Sequence, residues 1–226
     1  MRFVFSILLL YCASQVSAQG ISKPLDTNYL EDQFYVGITY NFVRNKPNDI
    51  TQRNLSYGLQ GGLVRDFPIN RSRTRAFGLG LGYAVNSYYS NMKAEEINGV
   101  ITYSPVGSNV DLKRSKIENH LIELPIEYRW RNSTLEEYKF WRIYTGVKLG
   151  YVFASRSKFV TESEKISFSN GDVRQFQYGL TFSFGWNTFN AHVYYALSSI
   201  FKDDITIDGE PIEMKPLRVG FIFYIL

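Results

Sequence analysis

The sequence predicts an all-β fold, an eight-stranded antiparallel up-and-down transmembrane β-barrel occupying residues 34–226. Three observations carry that expectation. Aromatic residues are abundant (17 Tyr, 17 Phe and 3 Trp, 16% of 226 residues), a bias that favours strands. Period-two alternation recurs along the chain, and no stretch follows a helical period convincingly. In the clearest segments one face is bulky and apolar, while the other holds glycine, small polar groups and a few charges. A secreted soluble barrel or sandwich, the alternative, would instead set Lys, Glu and Thr against water.

Strands are expected over 34–43, 55–66, 74–87, 117–131, 139–154, 173–184, 188–198 and 216–226, each near or above the roughly 9–11 residues a tilted membrane strand needs. Over 117–131, Ile122, Leu124, Ile126, Tyr128 and Trp130 share a face, opposite Glu123, Glu127, Arg129 and Arg131. Over 139–154, Trp141, Ile143, Val147, Leu149, Tyr151 and Phe153 oppose Arg142, Tyr144, Gly146, Lys148 and Gly150. Over 74–87, Phe77, Leu79, Leu81, Tyr83 and Val85 oppose Ala76, Gly78, Gly80, Gly82 and Ala84. The bulky set suits lipid, and the second set suits a narrow interior in which glycine leaves room for long side chains. The uncharged run 175–201 reads as strands too, because Gln175, Gln177, Thr181 and Ser183 alternate with Phe176, Tyr178, Leu180 and Phe182.

Residues 1–18 read as a signal peptide: Arg2 is the basic start, Phe3 to Ala13 the apolar run, and Val16-Ser17-Ala18 the small-residue cleavage site. A lipoprotein signal at Cys12 is disfavoured by bulky Tyr11 just before it. Cleavage removes the chain's single cysteine, so no disulfide is expected. Residues 19–33 are read as a periplasmic N-terminal segment.

The connections alternate in length. The segments 67–73, 132–138 and 185–187 are short, while 44–54, 88–116, 155–172 and 199–215 are longer and polar, which places the short turns and both termini in the periplasm. Trp130, Trp141 and Trp186 all fall at short-turn ends, as an interfacial aromatic belt requires. Arg71, Arg73 and Arg75 cluster near one turn and are candidates for docking a periplasmic partner or phosphate, against the reading of a solvated basic turn.

Charge is nearly balanced, with 25 basic and 21 acidic residues, so nucleic acid is not an expected partner. One Cys and two His leave little scope for metal or cofactor chemistry, and none is expected. By parity His120 faces outward near a rim and His192 inward, neither with a recognisable catalytic neighbour. The acidic run Asp203, Asp204, Asp208, Glu210 and Glu213 reads as a solvated loop: counted as a twelve-residue calcium loop from Asp204, it puts Lys215 where the bidentate Glu belongs. Asp208-Gly209 hints at a turn there. The most specific polar feature is the inward set Glu123, Glu127, Arg129, Arg142 and Lys148. A hairpin about 132–138 would set Glu127 opposite Tyr144 and Glu123 opposite Lys148, giving lumen ion pairs that plug the interior rather than conduct.

From His120 onward the chain resembles the PorT family of outer-membrane β-barrels. The resemblance lies in His120-Leu121-Ile122-Glu123-Leu124-Pro125, in Tyr138-Lys139-Phe140-Trp141-Arg142-Ile143-Tyr144 and in Lys148-Leu149-Gly150-Tyr151-Val152-Phe153. The ending Gly220-Phe221-Ile222-Phe223-Tyr224-Ile225-Leu226 is similar, and Arg65-Asp66-Phe67-Pro68-Ile69-Asn70 more loosely so. It implies an outer-membrane barrel without catalytic residues, associated with type IX protein secretion or envelope assembly. Its partners would be outer-membrane lipid and other secretion or assembly proteins. One departure is Leu226, an inward residue by parity, where such barrels commonly end in a lipid-facing aromatic. A structural or adhesion barrel unrelated to secretion, and a small-solute channel, are the competing functions.

Overall fold

The computed structural model describes residues 32–70, 72–107, 109–132 and 141–225. The expected signal peptide 1–18, residues 19–31 of the expected N-terminal segment, Arg71, most of the 132–138 turn and Leu226 lie outside the described residues. The strands are β1 (Asp32–Arg44), β2 (Tyr57–Pro68), β3 (Arg75–Tyr89), β4 (Met92–Ile97), β5 (Val100–Pro105), β6 (Arg114–Arg131) and β7 (Trp141–Val160). They continue with β8 (Lys165–Ser169), β9 (Phe176–Trp186), β10 (Phe189–Ala196), β11 (Thr206–Ile207), β12 (Glu210–Pro211) and β13 (Lys215–Ile225).

Eight of these close an antiparallel barrel in the order β1-β2-β3-β6-β7-β9-β10-β13, with β13 returning to β1. Each barrel strand pairs with its neighbours along the chain, so no edge is left in the ring. The remaining strands stand beyond the long-loop end: the β4–β5 and β11–β12 hairpins, and β8, which pairs with the last residues of β7. The segments 88–116 and 155–172 are therefore largely folded, and β7 runs six residues past its expected end at 154. Two tight turns organise this end. Asn98-Gly99 (φ 52° and 81°) and Asp208-Gly209 (φ 51° and 83°) are left-handed pairs of the kind that two-residue hairpins require.

Alternation sorts the side chains cleanly. On β9, Phe176, Tyr178, Leu180, Phe182, Phe184 and Trp186 are exposed, while Gln177, Thr181 and Ser183 are buried. From Phe176 to Trp186 the apolar stripe covers about 33 Å along the strand, or about 25 Å along the axis at a tilt near 40°, the height of a membrane barrel's apolar band. The stripe repeats on β1 (Phe34, Val36, Ile38, Phe42) and β3 (Phe77, Leu79, Leu81, Tyr83). A continuous apolar band of this extent belongs in lipid rather than water.

The polarity of the wall reverses at one level. Between His120 and Leu121 the β6–β7 register slips: His120 pairs with Ala154 and Leu121 with Val152, leaving Phe153 as a bulged extra residue. Below this level the wall is apolar outside and polar inside. Above it Ser155, Ser157 and Phe159 turn inward while Arg156 and Lys158 turn outward. Tyr83, His120 and Phe153 pack together at the boundary, with ring centroids 6.1–6.2 Å apart and the Tyr83 hydroxyl 2.6 Å from His120 Nδ1.

Interior glycines make the closure possible. A Cβ at Gly82 would lie 2.0 Å from the Tyr35 hydroxyl and 2.9 Å from the Gly61 carbonyl oxygen, whereas at Gly61 the nearest atom is 3.4 Å away. Gly82→Leu should therefore cost about 1–3 kcal/mol or prevent closure, lowering the fraction of chain that keeps heat-modifiable gel mobility. Gly61→Leu, on the lipid side, should close normally, and equal behaviour of the two variants would refute this account of the interior.

Candidate functional site

The inward side chains form two ion clusters, one above the other. Nearest the short-turn end, Asp66 on β2 accepts from Arg129 (2.8 Å) and Arg131 (3.3 Å), both on β6. Arg129 also bonds Glu127 (2.9 Å) and the Gln33 side-chain oxygen (3.2 Å). Its guanidinium lies 4.3 Å from the Tyr144 ring centroid and 5.0 Å from that of Tyr224. Space for it is left by Gly78, where a Cβ would meet Arg129 Nε at 2.7 Å. Arg142 lies 5.9 Å and 5.8 Å from the same two rings, so the aromatic pair carries cationic planes from two strands.

In the next layer Glu123 bridges Lys148 (3.0 Å) and Arg218 of β13 (3.1 Å). Lys148 donates to the Gln60 side chain (2.6 Å), and Arg218 donates to Asn86 (3.1 Å) and lies 3.7 Å above the Tyr194 ring. His192 is buried beside Ser183, oxygen to Nδ1 2.7 Å.

The structure brings Glu123, Glu127, Arg129, Arg142 and Lys148 into one lumen, but with cross-strand neighbours other than those expected. Glu127 stands opposite Gly146 and Glu123 opposite Gly150, while Tyr144 faces Arg129 and Lys148 faces Pro125. The ladder is displaced by two residues. That keeps every side chain on its face, and Lys148 reaches Glu123 diagonally. Three participants were not legible as ion partners: Asp66, Arg131 and Arg218. The parity of β2, with Gly58, Gln60, Gly62 and Val64 inward, was the signal that could have placed Asp66 inside.

Above the ions the filling changes to apolar. Val43, Ile50, Tyr88, Met92, Ile117, Leu121 and Val152 pack with Ile200, Phe201, Ile207, Ile212 and Met214 in one buried cluster. Tyr103 from β5 stacks edge-on against Phe201, centroids 5.2 Å apart, and its hydroxyl donates to Asp172 (3.0 Å) and accepts from Asn170 (2.9 Å). Burial, reinforced by the Asp172 carboxylate, holds the Tyr103 hydroxyl above its ordinary pKa, so it keeps its proton. The hairpins are thereby tied down over the mouth, and the interior at the long-loop end is filled by a hydrophobic cap.

The other candidates lie apart. Trp130, Trp141 and Trp186 all sit at the short-turn end of the wall; Trp141 and Trp186 are cross-strand partners with rings 5.1 Å apart, and Trp130 stands opposite Arg75. Arg75 is exposed, and Arg73 gives its carbonyl oxygen to Arg131 Nε (3.0 Å). Asp203 pairs with Arg174, and Asp208 occupies the β11–β12 turn. Among the described residues no three acidic, His or Cys side chains converge as a metal site.

Residues 14–202 match the family described as "Outer membrane protein beta-barrel domain". No curated protein matches the chain. Among solved structures, the chain is similar to the crystal structure of Ail, the attachment invasion locus protein of Yersinia pestis, at 12% identity and a TM-score of 0.30, covering 85% of this chain and 97% of that one. The same protein in complex with the heparin analogue sucrose octasulfate matches at 13% identity and a TM-score of 0.27, covering 85% and 99%.

The two cations on Glu123 set the cost of losing it. Glu123→Gln should destabilise the barrel by about 3–5 kcal/mol, because Lys148 and Arg218 would stay buried with their shared anion gone. Adding Lys148→Met should recover only part, since Arg218 remains. Denaturant unfolding of the single and double variants in detergent checks this, and strictly additive losses would contradict the bridge.

Proposed function

The chain belongs to the outer membrane protein beta-barrel domain family, and from that premise we propose that it is a closed, non-catalytic scaffold that presents its folded long-loop end at the cell surface. In this reading the signal peptide is cleaved after Ala18, the termini and short turns lie in the periplasm, and outer-membrane lipid surrounds the apolar band. The observation that carries it is the apolar cap seated above two buried ion clusters. An interior filled along its length with paired charges and then hydrocarbon suits a rigid support better than a solute path. Neither histidine supports general-base chemistry: His192 is sealed inside with Ser183, and His120 is held by Tyr83 on the outer wall.

The task we assign to this scaffold is assistance to protein secretion of the type IX kind or to envelope assembly. The residues shared with the PorT family from His120 to Phe153 support that assignment, with Arg71, Arg73 and Arg75 as candidate docking residues on the periplasmic side. A second reading, an adhesion or structural barrel, is favoured by the hairpin-built surface of the long-loop end, a folded platform rather than loose loops.

A strain lacking the protein should retain in its periplasm proteins that normally leave by a C-terminal export signal. Comparing its secreted proteins with those of the parent checks this. Unchanged export with altered adhesion would select the second reading. An epitope at Asn98-Gly99 should be reachable on intact cells and one in the 132–138 turn should not; the reverse result would overturn the orientation.

A further inference from the structure

The outward face of β6, β7 and β8 above the Phe153 bulge carries Arg114, Lys116, Arg156, Lys158 and Lys165. Lys116 and Lys158 are direct cross-strand partners, and Lys165 follows beside Val160, which itself pairs with Arg114. Like charges directly opposite one another destabilise a sheet, and among the described residues the one carboxylate on this outward face is Glu118, which stands opposite Arg156. That group is already engaged: it pairs with Lys116, accepts from the Ser87 hydroxyl (2.8 Å) and lies 3.9 Å from His120 Nε2. Arg114, Arg156, Lys158 and Lys165 have no ion-pair partner among the described residues. Nearby Lys113 and Lys93 are satisfied by Glu162 and Glu164. In the acidic 203–213 segment Asp203 pairs with Arg174, and among the described residues no ion pair joins the segment to the patch.

Position gives the patch its meaning. It starts where the apolar band stops, at the Tyr83, His120 and Phe153 cluster. Arg156 and Lys158 stand roughly 10–16 Å further along the strand, which at a tilt near 40° is about 8–12 Å above the hydrocarbon boundary, just beyond a headgroup zone of about 5–8 Å that their long side chains can reach back into. Arginine and lysine at that height, aimed sideways from the wall, meet the phosphates of the surrounding leaflet before anything else.

We propose that this face binds the phosphate-bearing headgroups of the outer-leaflet glycolipid, fixing the barrel's depth and the side it turns to ordered lipid. The inference rests on the orientation proposed above, with the long-loop end outside. Its occupant is anionic lipid in place rather than a soluble polyanion, because the patch is continuous with the lipid-facing band.

The test uses the full-length chain folded in detergent micelles, with native mass spectrometry reading bound lipid. Bisphosphorylated lipid A competes at equal concentration with the same lipid after dephosphorylation. The wild type should favour the phosphorylated form about tenfold at low salt, and the preference should approach unity near 0.5 M salt as exposed charges are screened. Arg156→Gln with Lys158→Gln should remove most of the preference, whereas Arg44→Gln with Lys215→Gln, at the same long-loop end but across the ring on β1 and β13, should leave it. Heat-modifiable mobility verifies closure of each variant, and the wild-type salt series decides the matter if the first pair fails to close. Equal retention of both lipids by the wild type, or a preference that survives at Arg156→Gln with Lys158→Gln, overturns the proposal. Capture of soluble heparin without any preference between the lipids would assign the face to a free polyanion and overturn it as well. An unreachable epitope at Asn98-Gly99 would remove the orientation alone, leaving the micelle result to stand or fall separately.

Discussion

Closing a sheet on eight strands leaves an interior wide enough for side chains and too narrow for much else, and within the apolar band that interior holds ions. Each buried charge costs several kcal/mol to desolvate, so the arrangement is tolerable only where geometry returns that cost. Here it is returned by sharing. Asp66 serves Arg129 and Arg131, and Glu123 serves Lys148 and Arg218, while Tyr144, Tyr224 and Tyr194 offer ring faces to the guanidinium planes. Gly78 and Gly82 belong to the same solution, since the first leaves space for Arg129 and the second for the Tyr35 hydroxyl. A residue change at any of these positions is felt by groups on three or four strands.

The second filling follows from where water is. Inside the lipid layer there is no hydrophobic drive to bury apolar groups in the lumen, because the surroundings are equally apolar. Beyond the layer the drive returns, and the wall inverts at the level where Phe153 is inserted. Leu121 and Val152 face in at that boundary and Ile117 above it, and the loop strands contribute Phe201, Ile212 and Met214 to complete a core that the barrel strands could not build alone. The bulge is thus the hinge between a membrane protein and a small water-soluble β-structure stacked on it. The basic outer face above it is the counterpart of the apolar inner one.

The barrel was legible because its strands are buried on one side only, so period two survives in sequence; β6 and β7 show it over nearly their whole length. Register was less legible. A shift of two residues preserves every face, so parity could not separate Glu123 opposite Lys148 from Glu123 opposite Gly150. Inward positions on β2 and β13 hid Asp66 and Arg218, since partners across a lumen are set by closure and not by any local spacing. The cap was illegible for a different reason: Ile50, Met92, Tyr103, Val173 and Phe201 come from separate loops in which polar neighbours dominate the composition. Asn98-Gly99 was the available clue, a two-residue turn between segments that pair from Met92 to Pro105.

The lumen is sealed along its length, by ions below and hydrocarbon above. Steady-state conductance of the purified, refolded barrel in planar bilayers tests it most directly. The account predicts no sustained ohmic current at moderate voltage and salt. A stable, voltage-independent conductance from the wild-type protein would contradict it.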